Sequence, residues 1–358
     1  MMDLYALLRP ALGLVSPERA HELALAALKR GLVPPAPQGG DDPILATTVW
    51  GLRFPNPVGL AAGFDKDASA VDAILGLGFG FVEAGTVTPR PQPGNPKPRL
   101  FRLDDDEGVI NRFGFNSQGL DPFVRRLKAR RAAGRPGIVG ANVGKNKETE
   151  DAVDDYSAGI AATCRLSDYL VCNISSPNTP GLRSLQARVE METLIARAIA
   201  VRDAAVADPA ARPPLLVKVA PDLDDQGLSD VAEVALETRV DGLIMGNTTL
   251  SRPGSLKSRF KGETGGLSGR PLFSLSTERL AALYRLTGGR IPLVGVGGIA
   301  SGADAYAKIR AGASLVQLYS ALVFGGPCLV ARVKADLAKH LKRDGFSSVA
   351  AAVGADAR

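Results

Sequence analysis

The sequence contains few of the side chains that usually bind metal ions. Its 358 residues include two histidines, His21 and His340, and three cysteines, Cys164, Cys172 and Cys328. The cysteines lack the paired spacing of a zinc site or of a disulfide framework. We therefore expect neither histidine-based metal chemistry nor a metal site.

Long apolar runs and basic clusters are also missing. No apolar run approaches the roughly 20 residues that a membrane-spanning helix needs. The net charge is +6, but the lysines and arginines form no block with interleaved aromatic residues, so nucleic acid is not an expected partner. Anionic small molecules and membrane surfaces remain open as partners. What is present, 45% apolar and 22% charged residues, is typical of a globular protein.

Residues 1–33 have the pattern of two short helices. The second is predicted to begin after Ser16, with Pro17 at its first position, and to end at Gly31. The first is indicated by leucines at helical spacing, namely Leu4, Leu7, Leu8 and Leu12. The proline-rich residues 33–40 cannot continue a helix and separate this hairpin from the rest. A hairpin this short is unstable alone, so its apolar faces must dock on the main body, on a lipid surface, or on both.

From about residue 45, short apolar runs alternate with helical stretches. Eight runs are the number expected for a (β/α)8 TIM barrel, and they cover residues 58–61, 79–83, 138–142, 169–173, 215–219, 242–245, 293–296 and 315–318. A doubly wound open sheet is the alternative, but the glycine fingerprint that should follow its first strand is missing. Residues 48–54 are predicted as an antiparallel strand that caps the barrel floor.

We expect three parts along the chain: an N-terminal helical segment of residues 1–40, the barrel of residues 41–344, and a flexible tail of residues 345–358. Within the barrel, residues 86–120 are rich in proline and too long for an ordinary connection. We interpret them as a functional loop over the top of the barrel.

Polar side chains cluster just past the predicted strands, and in a barrel these carboxyl ends share one face. Residues 173–181, here called the 173–181 loop, combine hydroxyl and carboxamide side chains with two prolines and a glycine. Lys66 follows the first strand, and Lys218 lies within the fifth. A lysine in an apolar strand is costly unless it is paired or faces a ligand. A structural role for Lys218, with an acidic partner inside the barrel, stays open as the alternative.

The last two strands carry a phosphate signal. Residues 295–299 are rich in glycine after the seventh strand, and Tyr319 and Ser320 follow the eighth. Backbone N–H groups of such loops and a helix N-terminus form an anion cradle, where barrels commonly hold a phosphate. The residues therefore indicate a phosphorylated, flat, partly anionic cofactor. Flavin mononucleotide (FMN) fits, with Lys218 poised to stabilise negative charge on the reduced ring.

With these residues in view, the chain resembles the dihydroorotate dehydrogenases, specifically the membrane-associated, quinone-using class 2 enzymes. The resemblance covers nearly the whole chain. Its most specific motifs are residues 59–66, 85–95, 111–116, 173–181 and 265–272. It implies a barrel holding one FMN per subunit and oxidising (S)-dihydroorotate to orotate in pyrimidine biosynthesis.

The resemblance also implies the roles of individual residues. Those lining the flavin would be Ala62, Gly63, Lys66, Thr86, Asn142, Asn173, Lys218, Gly269, Gly298, Tyr319 and Ser320. Those holding the substrate would be Lys66, Asn111, Arg112, Phe113, Gly114, Phe115, Asn173, Asn178, Asn247 and Thr248. Ser176 matches the catalytic base, which would take a proton from C5 while a hydride leaves C6 for the flavin. Lys66 would stabilise the developing charge, and Thr179 is a candidate for the proton exit.

In this class the N-terminal hairpin forms a lipid-facing entrance for quinone. His21 and Arg102 match polar positions near the inner end of that tunnel, although an ordinary surface histidine is the alternative for His21. The resemblance implies a protein lying on a membrane rather than crossing it. Without a transit-like extension, we expect the cytoplasmic face of a bacterial inner membrane, and a monomer. Phe64, Phe113 and Gly246 depart from the family pattern.

Three alternatives remain. A soluble dihydroorotate dehydrogenase that uses fumarate or NAD would have cysteine as base, but Cys172 should point away from Asn173 because successive strand residues alternate. A flavin-free, phosphate-binding barrel, such as an isomerase or lyase, is the second. The third is a membrane-docking scaffold with a decayed site.

Overall fold

The computed structural model describes residues 5, 9, 13–36 and 40–357. The four leucines that predict the first helix, Leu4, Leu7, Leu8 and Leu12, lie outside the described residues. The predicted second helix is present as α1 (Pro17–Lys29), with Pro17 in its first turn. Ser16 precedes this helix, but its side chain makes no capping hydrogen bond, and its backbone carbonyl accepts from Ala20 N instead.

Strands and helices alternate along the rest of the described chain. The strands are β1 (Thr47–Val49), β2 (Leu52–Phe54), β3 (Val58–Leu60), β4 (Phe81–Val87), β5 (Leu100–Leu103), β6 (Gly108–Asn111), β7 (Ile138–Val143), β8 (Tyr169–Asn173), β9 (Leu215–Val219), β10 (Gly242–Met245), β11 (Gly266–Gly269), β12 (Leu293–Val296) and β13 (Ala313–Leu318). The helices after α1 are α2 (Val71–Leu75), α3 (Leu120–Ala132), α4 (Ala152–Thr163), α5 (Arg188–Ala205), α6 (Asp225–Thr238), α7 (Phe273–Thr287), α8 (Gly302–Arg310), α9 (Ala321–Gly325), α10 (Leu329–Arg343) and α11 (Val349–Ala352).

Eight parallel strands close into a barrel in the order β3-β4-β7-β8-β9-β10-β12-β13. Each of the eight predicted apolar runs supplies one of these strands, so the predicted (β/α)8 barrel is confirmed. Side chains alternate between the interior and the surrounding helices. In β9, for example, Leu216 belongs to the interior cluster, whereas Leu215 and Val217 pack with the outer helices.

Large aromatic rings close the amino end of the barrel. Phe81 and Tyr169 fill the interior there, and a Cβ on Gly59 or Gly140 would collide with these rings. Residues 48–54, predicted as one strand, form a hairpin of β1 and β2 instead. Its turn residues, Trp50 and Gly51, both have positive φ, which a tight two-residue hairpin turn requires and which the hydrophobic pattern does not report.

The predicted loop of residues 86–120 contains a small sheet. Strands β5 and β6 form an antiparallel pair, and β11 joins β6 on its other edge. Leu103, Ile110 and Leu267 form a separate apolar cluster within it. The segment is therefore a folded cover whose third strand comes from a distant part of the sequence.

The C-terminal residues differ from the expected flexible tail. Val349 and Ala352 of α11 are fully buried against the barrel's outer layer. Further on, Gly354 N donates to Ile309 O, and Asp356 pairs with Arg310. The small residues that suggested fraying instead allow close packing against α8.

Candidate active site

A cavity of about 1090 Å³ lies at the carboxyl ends of the barrel strands and extends beneath α1. The 173–181 loop, the cover sheet and the glycine-rich segment after β12 all contribute to its lining. Polar residues from distant parts of the sequence therefore meet in one space, as the barrel topology predicts.

Ser176 is 7% exposed and lines this cavity. Its Oγ accepts a hydrogen bond from the backbone N–H of Asn178 at 3.3 Å. In the part of the chain that the structure describes, no carboxylate or imidazole hydrogen-bonds to this oxygen. The hydroxyl therefore has no strong local base to activate it.

Ser175, its neighbour, is fully buried and held on both sides. Its Oγ donates to Asn173 Oδ1 at 3.0 Å and accepts from Asn247 Nδ2 at 2.8 Å. These bonds join the strand ends of β8 and β10. Ser175 thus belongs to the framework of the loop, while Ser176 faces the cavity.

Arg183 clamps the same loop from behind. Its guanidinium donates to Ser175 O and Thr248 O, both at 3.0 Å, and pairs with Asp222 at 2.7 Å. Planar guanidinium donors suit this three-way contact. Sequence reasoning missed Arg183, although its place in the loop after Gly181 made it a candidate for loop support.

Carboxamides tie the cover sheet to the 173–181 loop. Asn178 Nδ2 donates to Asn111 O at 3.1 Å. Asn95 Nδ2 bridges Arg112 O at 3.0 Å and Asn178 O at 3.1 Å. The predicted functional loop is therefore joined directly to the segment that carries Ser176. Asn95 was part of a recognised motif, but no role was expected for it.

Lys66 lies beside an aromatic ring, with its Nζ 4.0 Å from the ring centre of Phe113. Burial lowers the pKa of Lys66 to about 8, and the positive charge of Arg99 adds to the effect. Lys66 is therefore mainly protonated at neutral pH and carries the charge expected near an anionic substrate.

A buried carboxylate, Glu83, lies at the centre of the barrel interior. It accepts from Asn142 Nδ2 and Gln317 Nε2, each at 2.7 Å, and lies 3.7 Å from Lys218 Nζ. Lys218 thus has the acidic partner that was kept open as its structural role, and it also lines the cavity. The structural role and the ligand-binding role of Lys218 are therefore compatible, because the same side chain pairs with Glu83 and lines the cavity.

The network continues upward from Asn142. Thr86 Oγ1 donates to Asn142 Oδ1 at 2.6 Å and accepts from Asn173 Nδ2 at 2.8 Å. Sequence reasoning named Thr86, Asn142 and Asn173 but missed Glu83 and Gln317. Glu83 could have been identified in the same way as Lys218, because a charged group in an apolar strand needs a partner.

Backbone groups dominate the opposite wall of the cavity. Gly297, Gly298, Tyr319 and Ser320 line it, and Ser320 Oγ lies 2.8 Å from Ser268 Oγ. A Cβ on Gly298 would collide with Phe273, so only glycine fits there. This is the wall on which a phosphate was predicted.

Most predicted site residues line the cavity: Ala62, Gly63, Lys66, Thr86, Asn111, Phe113, Gly114, Phe115, Asn173, Ser176, Asn178, Lys218, Asn247, Thr248, Gly269, Gly298, Tyr319 and Ser320. Two do not. Asn142 is fully buried beneath Thr86. The side chain of Arg112 points away, pairing with Glu263 at 2.8 Å and lying over the ring of Phe101.

Cys172 is directed away from the cavity, as the strand alternation predicts. Its side chain packs in the outer apolar cluster, and burial raises its pKa to about 12. A thiol that resists ionisation and faces the helices cannot serve as the base for a ligand inside the barrel.

Helix α1 covers one mouth of the cavity. His21 packs edge-on against Phe64 with ring centres 5.0 Å apart, and both His21 and Arg102 are among the lining residues. Burial lowers the pKa of His21 to about 4, and the charge of Lys66 contributes, so the imidazole is neutral near pH 7. Leu14, Leu23 and Leu32 around this helix are exposed at 91%, 43% and 70%. Among the described residues, no helix has both the length and the apolar character to cross a membrane.

Known proteins resemble this chain over its full length. A family model described as dihydroorotate dehydrogenase matches residues 44–341. Proteins named dihydroorotate dehydrogenase (quinone) from Xanthobacter autotrophicus and Azorhizobium caulinodans are 73% and 74% identical over 357 residues, with 100% of both chains covered in each case. A crystal structure of DHODH from Eimeria tenella in complex with ferulenol is 45% identical, with a TM-score of 0.93 over 98% of this chain and 99% of the other.

Proposed function

The chain belongs to the dihydroorotate dehydrogenase family, and from that premise we propose that it oxidises (S)-dihydroorotate to orotate and passes the electrons to a quinone. The reaction is a step of pyrimidine biosynthesis. The observation that carries the proposal is that Ser176, Lys66 and several carboxamides line one cavity beside a glycine-rich wall.

FMN is the proposed cofactor, since the family is flavin-dependent. Three features support the fit: the cavity volume of about 1090 Å³, the close glycine wall, and the buried Gln317 Oε1, which has no hydrogen-bond partner among the described residues. The holding residues would be Ala62, Gly63, Lys66, Thr86, Asn173, Lys218, Gly269, Gly298, Tyr319 and Ser320, with Asn142 supporting Thr86 from below. When bound, the flavin would accept a hydride, which carries two electrons and one proton, from the substrate and would later pass the two electrons to the quinone.

Substrate binding is assigned to the carboxamides and Lys66. Asn111, Asn178 and Asn247 offer both donors and acceptors, which suits the amide edges of a dihydropyrimidine ring. The ammonium of Lys66 suits the substrate carboxylate. Arg112, expected from the resemblance to bind substrate, is proposed to contribute through its backbone carbonyl, which holds Asn95.

Ser176 is the proposed base for the proton at C5. A serine hydroxyl is a very weak base and works only if the charge that develops on the substrate is stabilised at the same time. Protonated Lys66 and the carboxamide N–H groups supply that stabilisation. Thr179 is 4% exposed, and its Oγ1 has no partner among the described residues. It is therefore the proposed next acceptor for the proton that leaves Ser176.

The quinone is proposed to enter beneath α1. The exposed leucines of this segment suit a lipid surface, and the lining residues His21 and Arg102 provide polar groups at the inner end. A neutral His21 against Phe64 suits an apolar ring better than a charged imidazole would. We propose peripheral binding to the cytoplasmic face of the inner membrane, by a monomer.

An anaerobic absorption experiment tests the function directly. The purified full chain, loaded with FMN, should lose its flavin absorbance when dihydroorotate is added and recover it when a short-chain quinone follows. Recovery with fumarate or NAD but not with quinone would support the soluble class instead. A protein that is colourless and unable to take up FMN would support the flavin-free isomerase or lyase.

A further inference from the structure

Lys308 is a fully buried lysine that no step above uses. It lies on α8 with 0% exposure. Its Nζ donates to Ser276 Oγ at 2.5 Å and lies 5.2 Å from the ring centre of Phe273. No carboxylate comes within 4 Å of this Nζ among the described residues. Burying an ammonium group with only one neutral acceptor costs free energy, so a functional role for Lys308 would explain its position.

Ser276 relays this contact to the cavity wall. It is fully buried on α7, and its Oγ lies 3.1 Å from the carbonyl oxygens of both Gly297 and Phe273. Because Lys308 donates to the serine oxygen, the hydroxyl hydrogen is left to point at these carbonyls. The result is a chain of hydrogen bonds from Lys308 through Ser276 to Gly297.

The orientation of one peptide bond follows from that chain. The carbonyl of Gly297 and the N–H of Gly298 share a trans peptide, so they point in opposite directions. Since the carbonyl faces Ser276 behind the wall, the N–H of Gly298 faces the cavity side that both glycines line. Within the described residues this N–H donates to no protein group, so it is free for an anion.

Helix α7 also begins at this position. Its first residue, Phe273, abuts Gly298, so the positive end of the helix dipole lies behind the same peptide. Burial lowers the pKa of Lys308 to about 7, against a smaller opposing effect of Asp304. A nearby dianion would stabilise the charged lysine and raise this pKa again.

We propose that Lys308 is a positioning residue for a phosphate monoester, acting through Ser276 to fix the Gly297–Gly298 peptide and placing one positive charge behind it. The inference rests on the proposed flavin site, whose phosphate is the ligand in question. Lys308 and Ser276 would then determine the preference for FMN over riboflavin, the same flavin without phosphate.

Flavin titrations of the full-length protein, stripped of flavin, test the proposal. The probes are FMN and riboflavin, and the variants are Lys308→Met and Ser276→Ala. Because a charge-assisted contact is lost, the dissociation constant for FMN should rise about tenfold or more in Lys308→Met, and less in Ser276→Ala. The riboflavin constant should stay within about twofold in both variants.

Lys339→Met is the matched control, because it removes the same charge from an exposed position on α10 and should change neither constant. Equal losses of FMN and riboflavin binding in Lys308→Met would mean that Lys308 serves packing alone and would overturn the proposal. If Lys308→Met fails to fold, Ser276→Ala decides, since it removes one atom and leaves the lysine in place. Unchanged selectivity in Ser276→Ala would then count against the relay. If the proposed flavin-dependent function itself is wrong, the wild-type protein should bind neither FMN nor riboflavin, which distinguishes that outcome from a failure of the Lys308 proposal.

Discussion

Ser175 and Ser176 are adjacent in the chain, but their hydroxyls have different surroundings. Ser175 Oγ is bound by Asn173 and Asn247, whereas Ser176 Oγ contacts a backbone N–H and faces the cavity. The proposed base is therefore distinguished from its neighbour by geometry, which the order of the residues alone does not reveal.

Replacing Ser176 by Ala should remove the proton acceptor while leaving the loop in place. The rate at which dihydroorotate bleaches the flavin, measured by stopped-flow absorbance, should fall by about 10²- to 10⁴-fold. This is the usual range for loss of a positioned base. Ser175→Ala is the matched control and should slow bleaching by about tenfold at most, because it loosens the framework without removing the base. Equal rates for Ser176→Ala and the wild type would rule out Ser176 as the base.

Glu83→Gln should change the electrostatics beneath the proposed flavin. Glutamine keeps the shape, and its one amide oxygen can still accept from Asn142 Nδ2. Its amide nitrogen cannot accept from Gln317 Nε2, and the negative charge 3.7 Å from Lys218 is removed. The uncompensated lysine should favour the anionic reduced flavin, so the two-electron reduction potential should rise, by about 30 mV or more. Equilibration with a redox dye measures this potential.

Stability gives a second readout for Glu83→Gln. Leaving a buried charge without its partner costs about 3–5 kcal/mol, so the midpoint of thermal unfolding should fall. Tyr169→Phe is the control for the potential, since its hydroxyl contacts Glu83 at 3.4 Å without carrying charge. A potential in Glu83→Gln equal to that of the wild type would show that Lys218 does not act on the flavin through its charge.

At the scale of elements, the sequence was most informative where the hydrophobic pattern is periodic. All eight barrel strands and α1 were predicted, because a strand buried on both faces leaves an apolar run and a surface helix leaves spaced apolar residues. The cover sheet was missed, since β11 pairs with β6 across more than 150 residues. The turn at Trp50 and Gly51 was missed because positive φ leaves no hydrophobic signal.

The residues of the candidate site also fall into a group that the sequence predicted and a group that it did not. Motif resemblance found the residues that line the cavity, but not those that act through them, such as Arg183, Glu83 and Lys308. Their roles depend on contacts between elements that are distant in the chain, and only the folded structure brings those elements together.

Helix α1 should become less securely docked as the pH falls from 6.5 to 4. Burial lowers the pKa of His21 from 6.5 to about 4, with Lys66 as a further cause, while Glu18 and Glu22 oppose the shift. Between pH 6.5 and 4 the unfolded chain binds a proton at His21 that the folded chain does not bind. The free energy of unfolding therefore decreases as the pH is lowered. Below pH 4 both states are protonated and the loss is complete.

Thermal unfolding from pH 7.5 to 4, compared between the wild type and His21→Phe, isolates this effect. Phenylalanine keeps an aromatic ring beside Phe64 but cannot titrate. From pH 7.5 to 4, the free energy of unfolding should fall more in the wild type than in the variant. The difference should not exceed the effect of binding one extra proton in the unfolded state. Parallel curves would mean that His21 takes up its proton equally in both states.

At the scale of the whole molecule, the described residues of the N-terminal segment meet the barrel through ion pairs and hydrogen bonds and through apolar packing. Arg99, 7% exposed, pairs with Glu18 of α1 at 2.8 Å and also donates to Pro93 O and Asn95 O. Asp41, just past this segment, pairs with Lys334 of α10. A cut after residue 40 therefore keeps the contacts within the barrel, but it removes the cover of the cavity mouth and the packing of Leu28 on the outer apolar cluster.

Deletion of residues 1–40 should separate the two half-reactions. The 173–181 loop, Lys66 and the glycine wall remain, so dihydroorotate should still bleach the flavin at a rate within about tenfold of the wild type. Without α1 the quinone loses its apolar entrance, and the protein loses the exposed Leu14, Leu23 and Leu32. Quinone reduction and binding to anionic vesicles should therefore both disappear. A water-soluble dye, which needs no apolar entrance, should still reoxidise the flavin and serves as the control. Loss of FMN from the truncated protein would show instead that α1 is required to hold the cofactor, because Arg99 without Glu18 would no longer keep Asn95 and the cover sheet in place.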